Sequence, residues 1–325
     1  MDSNAIFNIK TSREFEDIAL KVFTYQYQNN KVYREFCDHL KTAPKTISKS
    51  TEIPFLPIQF FKSHLVLSGN KKTQTIFTSS GTTGKSTSKH HISDLALYEK
   101  SYLSIFKQYY GDIKEYTVLA LLPSYLEREG SSLIYMVNDL IKKSNNPDSG
   151  FYLNNLDDLK SKLIQLDASG KKILLIGVSF ALLDLIEQHN FQLKNTIVME
   201  TGGMKGRRKE LIREELHAQL QEGFGVSQIH SEYGMTELLS QAYSKGNGIF
   251  ECPPWMKINI RDTEDPLTSQ PFEKTGGVNV IDLANLHSCS FIATQDLGKL
   301  YTDGTFKILG RFDHSDIRGC NLMVF

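Results

Sequence analysis

From Thr78 to Ser86 the chain reads Thr-Ser-Ser-Gly-Thr-Thr-Gly-Lys-Ser, a hydroxyl- and glycine-rich loop directly after a strand-like run. Such a loop suits polyphosphate. Gly81 and Gly84 let backbone N–H groups turn toward an anion, the hydroxyls of Ser79, Ser80, Thr82 and Thr83 can donate to it, and Lys85 can pair with its charge. It is not a Walker loop, because that pattern places a glycine five residues before the Gly-Lys pair, where Ser79 stands. Taken alone, the segment also reads as an ordinary surface turn.

A second group is His230-Ser-Glu-Tyr-Gly-Met-Thr-Glu237, again at the end of a strand-like run. Tyr233 before Gly234 can lay its ring against a purine, Thr236 can donate to a phosphate, and Glu237 offers a hard oxygen to Mg2+. A buried Tyr and a solvated Glu at a helix start would give the same pattern. The third group is Asp296 in Gln295-Asp-Leu-Gly298 and Arg311 in Ile308-Leu-Gly-Arg-Phe-Asp313. A carboxylate can accept both hydroxyls of a ribose, and an Arg fork can reach a ribose or phosphate oxygen, although both residues are also common beside turn glycines. Between these groups Met199-Glu-Thr-Gly-Gly-Met204 offers Gly202 and Gly203, beside which a flat base can approach the backbone; tight turn packing explains them equally well. All four segments follow strand-like runs, and in open α/β sheets ligands sit beyond the carboxyl ends of strands. Their joint order fits one ATP-shaped ligand better than four accidents.

The elements that would carry these loops can be read from hydropathy. Apolar residues at helical spacing (Phe15, Ile18, Ala19, Val22, Phe23) predict a helix over about Ser12 to Leu40, followed by a polar linker and the extended segment Ile53-Pro-Phe-Leu-Pro-Ile58. From Gln74 short apolar runs (Thr75–Thr78, Thr117–Leu122, Lys172–Val178, Thr196–Glu200, Val226–His230) alternate with amphipathic ones, including a charged helix at Lys205–Gln221. That alternation predicts βα units in a layered, mostly parallel sheet with helices on both faces. After about Asn247 short strands (Lys257–Ile260, Val278–Ile281, Ser290–Ile292, Lys299–Tyr301, Phe306–Leu309) separated by turns predict a smaller β-rich subdomain. The expected organisation is a helical N-terminal cap over 1–73, an α/β nucleotide-binding core over 74–246 and a β-rich subdomain with a C-terminal tail over 247–325.

Composition narrows the partners. Lys plus Arg and Asp plus Glu are both 37, so net charge gives no case for a nucleic-acid or membrane-surface partner. No apolar stretch approaches the roughly 20 residues of a membrane span and no leader pattern precedes Lys10, which together place the chain in the cytoplasm. Cys37, Cys252, Cys289 and Cys320 are widely spaced, against both a disulfide framework and a zinc site. The loop after Leu122 carries Arg128, Glu129, Ser131 and Ser132; it can position a carboxylate, or Ser131 can simply cap a helix. His90 and His91 read as a solvated polar turn.

The segments Ser79–Lys85, Tyr233–Glu237, Asp296 and Gly310–Asp313 resemble successive core motifs of the acyl-adenylate-forming, or AMP-binding, superfamily. Within it the chain looks most like the acyl-protein synthetases of bacterial bioluminescence, a likeness shared by Pro123–Ser132, while phenylacetate-CoA ligases have a similar phosphate loop. The resemblance implies that Ser79 to Lys85 hold the β and γ phosphates of ATP, that Gly202 and Gly203 border adenine, and that Tyr233 and Gly234 contact the base. It also implies that Glu237 binds Mg2+ and that Asp296 with Arg311 holds the ribose. Typical members continue past a hinge like Asp313 into a mobile domain bearing a lysine that assists adenylation, whereas only six residues follow Gly319 here. Acyl-protein synthetases pass the acyl group to a cysteine near their own C-terminus, and Cys320 is placed for that role. Arg318 and Lys307 would favour its thiolate if they lie close; an inert apolar cysteine is the alternative.

The expected activity is ATP-dependent activation of a carboxylic acid, of fatty type by the resemblance, followed by transfer to a thiol and on to a reductase or carrier protein. The alternatives are an acyl-CoA ligase and a nucleotide-binding subunit without catalysis.

Overall fold

The computed structural model describes residues 3–79, 87–122, 130–153, 155–202, 208 and 211–312. Helix α1 (Asn4–Phe7) is a single turn. Helix α2 (Ser12–Asn29) starts at a capping box: the Thr11 hydroxyl accepts from the Glu14 N–H at 3.2 Å, and the Glu14 carboxylate accepts from the Thr11 N–H at 2.9 Å. Its buried face is Phe15, Ala19, Val22, Phe23 and the polar Gln26. The single helix expected to Leu40 is broken at Asn30, whose backbone is extended and whose side chain accepts from the Tyr33 N–H at 3.0 Å to start α3 (Lys31–His39).

After β1 (Leu56–Pro57) and α4 (Phe60–Ser63), β2 (Thr75–Thr78) and β3 (Lys89–Ile92) pair antiparallel. The strands on either side of the phosphate-type loop therefore pair with each other, a correction to the βα reading of this segment, in which a helix follows the first strand. Helix α5 (Leu95–Tyr110) leads to a six-stranded sheet built from β4 (Tyr116–Leu121), α6 (Ser132–Ser144), β5 (Gly150–Tyr152), α7 (Leu156–Ala168), β6 (Lys172–Val178), α8 (Ser179–Gln188), β7 (Thr196–Thr201), α9 (Arg213–Phe224), β8 (His230–Tyr233) and β9 (Ala242–Ser244). The order β5-β4-β6-β7-β8-β9 is parallel except for the final pair. β4 is buried along its whole length and β6 along all but its first residue, as strands covered on both faces must be. Observed α9 begins later than the charged run suggested, and β8 starts where the expected strand at 226–230 ends.

A second, five-stranded sheet follows, from β10 (Met256–Arg261), β11 (Thr275–Asp282), β12 (Phe291–Leu300) and β13 (Phe306–Arg311). β1 runs parallel beside Ile292 and Ala293, and β13 runs antiparallel beside Asp296 to Leu300, so the two share one flank of β12. The two short strands expected at 290–292 and 299–301 are in fact one ten-residue strand. Gly298, which read as a turn residue, is a strand glycine: a Cβ there would lie 2.7 Å from both the Lys307 carbonyl and Val278 Cγ2. Among the described residues no helix is long and apolar enough to cross a membrane.

Candidate functional site

The site is built at the carboxyl ends of β7 and β8. Their register pairs Thr201 with Glu232, which sets Gly202 and Tyr233 side by side. Gly202 has φ +69°, and its carbonyl accepts from Ser179 Oγ at 2.8 Å. Below this turn Glu200 is buried against Arg213 and lies 3.5 Å from His217. Burial raises the Glu200 carboxyl, but His217 and Arg213 outweigh it and hold the group below the usual range. The guanidinium of Arg213 also lies 5.0 Å over the Phe250 ring. None of Glu200, Arg213 or His217 stands out in the sequence, because a strand Glu and a helix Arg acquire meaning only when the fold joins them.

Tyr233 is 8% exposed, with its ring edge-on to Phe250 and Phe306 at 6.0 and 5.8 Å. The sequence reading lays this ring against a purine; here it is largely enclosed, and its hydroxyl donates to Asp296 Oδ2 at 2.9 Å. Asp296 lies directly across from Arg311, whose Nε donates to Oδ1 at 3.0 Å. The carboxylate is buried while the Arg311 side chain is 72% exposed. Burial raises the Asp296 carboxyl despite the attraction of Arg311. Asp296 and Arg311 thus sit on paired strands, not in the turns that offered their bland explanation.

Gly234 follows, and a Cβ on it would overlap Glu232 Oε1. Burial pushes the Glu232 carboxyl up to about 7, although the Thr201 hydroxyl donates to it. At Thr236 the backbone carbonyl accepts from His90 Nδ1 at 2.9 Å, and His90 Nε2 lies 2.8 Å from Ser288 Oγ. This corrects the solvated-turn reading of His90: it is a strand residue, 1% exposed, with burial pulling its ring down to about 4. The overlooked signal was the inward alternation of His90 with Ile92 in Lys-His-His-Ile.

Glu237 is 5% exposed, its carboxyl is raised by burial, and it is hydrogen-bonded by the Ser88 side chain. Ser88 in turn closes the neck of the hairpin loop, its N–H donating to Ser79 Oγ at 2.9 Å while the Ser79 N–H donates to its carbonyl at 3.2 Å. The hairpin is tied to the neighbouring loop as the Thr78 N–H donates to the Gly130 carbonyl at 2.7 Å. Ser131 caps α6, its hydroxyl accepting from the Ile134 N–H at 3.3 Å. Two chains of contact result, Tyr233–Asp296–Arg311 and Ser79–Ser88–Glu237, joined through the Tyr233–Glu237 segment.

Ser80, Gly81, Thr82, Thr83, Gly84, Lys85, Arg128, Glu129, Gly203, Arg318 and Cys320 lie outside the described residues. Lys307, one of the two cations suggested as neighbours of Cys320, lies 3.4 Å from Glu214. Cys37 and Cys289 are buried free thiols and Cys252 is half-buried; burial raises all three, Cys37 to about 12, consistent with inert packing.

A family model of acyl-protein synthetases, LuxE, matches residues 6–98. The long-chain-fatty-acid--luciferin-component ligase of Vibrio harveyi is 23% identical over 324 residues, which covers 92% of this chain and 84% of that protein. The chain is similar to the acyl-protein synthetases. Among solved structures, a 2-hydroxyisobutyryl-CoA ligase in complex with 2-HIB-AMP and CoA matches with a TM-score of 0.67 at 12% identity, over 93% of this chain and 70% of that one. ATP-bound MatB from Rhodopseudomonas palustris matches with a TM-score of 0.56 at 18% identity, over 75% of this chain. The match takes in 49% of the MatB chain, about half its length. The α/β body with a smaller β-rich region is thus a fold shared with these two proteins, and the acyl-protein synthetase likeness is to an enzyme family of ligase type.

Proposed function

We propose that this chain activates a carboxylic acid with ATP and transfers the acyl group to a thiol, as an acyl-protein synthetase. In the first step a carboxylate oxygen of the acid attacks the α-phosphorus, the bond from that phosphorus to the bridging oxygen breaks, and pyrophosphate leaves. In the second a thiolate attacks the acyl carbon and AMP leaves with the bonding electron pair. Cys320 is the proposed thiol, and a long-chain fatty acid is the proposed substrate class, because the Vibrio harveyi relative is named for such an acid. A reductase or carrier protein is the proposed final acceptor.

The observation that carries the reading is the contact chain Tyr233–Asp296–Arg311, which sets a buried carboxylate and an exposed guanidinium at the end of β8, the strand paired with the one that leads into Gly202. Each Asp296 oxygen spends one lone pair on the protein and keeps another for a ribose hydroxyl. Arg311, three-quarters exposed, retains donors for a phosphate or ribose oxygen. At the other end Glu237 fits a Mg2+ site in one respect: its carboxyl is buried with its charged form disfavoured, and a divalent cation would reverse that penalty. Among the described residues no cluster of three His, Cys, Asp or Glu could hold a metal, so phosphate oxygens would complete the ligand set, as is usual for Mg2+. Bound there, the ion would neutralise charge on the phosphates.

The test is ATP/pyrophosphate exchange across a panel of acids, followed by intact-protein mass spectrometry. Exchange with a long-chain acid and a hydroxylamine-sensitive acyl adduct that disappears in Cys320→Ser, with exchange retained, is the expected result. Release of acyl-CoA on adding coenzyme A, with no adduct on the protein, would reject the acyl-protein reading in favour of a CoA ligase.

A further inference from the structure

The turn from Thr236 to Ser240 has little ladder to satisfy its backbone, and side chains distant in sequence do so instead. Thr236 O accepts from His90, and Glu237 O accepts from Asn285 Nδ2 at 2.7 Å. The Leu239 N–H donates to Asp282 Oδ2 at 2.9 Å and lies 3.0 Å from Asn285 Oδ1, while the Ser240 N–H donates to Asp282 at 2.9 Å. Asp282 ends β11, and Asn285 and Ser288 lie in the connection that follows it to β12. That connection is pinned from α2, where Gln26 Nε2 donates to the carbonyls of Asn285 and Leu286 at 3.0 and 3.1 Å and Gln26 Oε1 accepts from the Ser290 N–H at 2.9 Å. The result is a buried polar socket into which the turn is set.

His90 is the member of the socket that also belongs to the phosphate hairpin. A carbonyl only accepts, so contact with Thr236 O requires the proton on Nδ1. Nε2 of the neutral ring is then an acceptor for the Ser288 hydroxyl, which fixes that tautomer. Phe61, edge-on at 5.4 Å, packs beside the ring. An apolar side chain would fill this space without the cost of burying an imidazole, so the ring contributes direction rather than bulk.

We propose that His90, oriented by Ser288, is a positioning residue that fixes the peptide between Thr236 and Glu237 relative to the hairpin and so sets the register in which ATP with its metal is held. The inference rests on the adenylation reading above, in which Glu237 faces the metal and the hairpin holds the phosphates.

The experiment is exchange kinetics with MgATP as the varied substrate, comparing His90→Asn, His90→Gln and Ser288→Ala. Asn keeps a donor near the Nδ1 position and Gln keeps only a group near Nε2. His90→Gln is expected to raise KM for MgATP about tenfold with kcat within about twofold, and Ser288→Ala about threefold, whereas His90→Asn stays within about threefold of the parent. A residue that served stability alone would lower the folded fraction and kcat and leave KM where it was. Wild-type kinetics in folded His90→Gln reject the inference, and if that variant does not fold, an unchanged KM in Ser288→Ala rejects it. A long-range nitrogen–proton NMR spectrum of the unliganded protein checks the geometry without activity; a proton on Nε2 rather than Nδ1 also rejects it. A wild type silent toward every acid would reject the adenylation reading and this inference together, whereas an active wild type with a normal His90→Gln rejects the inference alone.

Discussion

Two carboxylates border the Tyr233–Gly234 segment, Asp296 at the Tyr233 hydroxyl and Glu232 against Gly234, and they are buried for different ends. Asp296 faces an exposed arginine, and Asp296→Ala should weaken ATP binding by about tenfold or more, the worth of one charge-assisted hydrogen bond. Calorimetric titration with ATP giving an unchanged affinity would remove Asp296 from the site. Among the described residues no cation pairs with Glu232, and its carboxyl is raised from 4.5 to about 7 by burial. Its contribution to stability is therefore fully present below 4.5 and is lost as pH rises through about 7. Glu232→Gln, neutral at every pH, should match the wild type near pH 4 and become more stable than it at pH 8, by up to about 3 kcal/mol. Urea titrations at the two pH values giving the same difference between the proteins would refute this. At this scale the sequence offers Asp296, Arg311 and Glu237 as candidates by residue type alone, and the structure joins the first two in one part-buried contact. The sequence was not legible for His90, Glu200 or Arg213, whose roles depend on partners brought from other strands and helices.

Among the elements, the hairpin β2–β3 is the one whose placement matters most and whose nature the hydropathy pattern missed. An apolar run followed by a glycine-rich loop looks alike whether the chain returns through a helix or through a second strand; only the short interval before Lys89–Ile92 distinguishes them. The long strand β12 was missed for the opposite reason, since Gly298 reads as a turn unless the close approach of Lys307 and Val278 is known. The parallel sheet was legible, because strands buried on both faces are near-continuous apolar runs, as β4 is apart from Thr117 and β6 after Lys172. Gly130 shows how the hairpin is held: with φ +86°, a Cβ would lie 2.9 Å from Thr78 Oγ1 and 3.1 Å from the Ile76 carbonyl. Gly130→Ala should cost about 1 to 3 kcal/mol through backbone strain and crowding. The same change should lower exchange activity more than that of a surface alanine variant of matched stability. A variant with full activity and an unshifted melting temperature would show that the hairpin does not need this contact.

Across the whole molecule, the first helices are bound to the last strands. Gln26 is fully buried and bonded to residues 285, 286 and 290, Asn30 Nδ2 donates to the Ser288 carbonyl at 3.0 Å, and β1 lengthens the second sheet. Gln26→Ala should orphan several of these groups at once and destabilise the protein by about 2 to 4 kcal/mol, read as a lowered urea midpoint at unchanged slope. Removal of residues 1–73 should abolish a single cooperative thermal transition, and a sharp calorimetric peak in the shortened chain would show instead that those residues are a detachable cap. The distance along the chain has a further effect during synthesis. The amide of Gln26 is made 259 residues before the Asn285 carbonyl it bonds. At roughly 5 to 20 residues per second on a ribosome, that separation lasts about 13 to 50 s. For that interval Phe23 in the apolar stripe of α2 lacks its partner Phe291 of β12, so the nascent chain should be a client of ribosome-associated chaperones until β12 emerges.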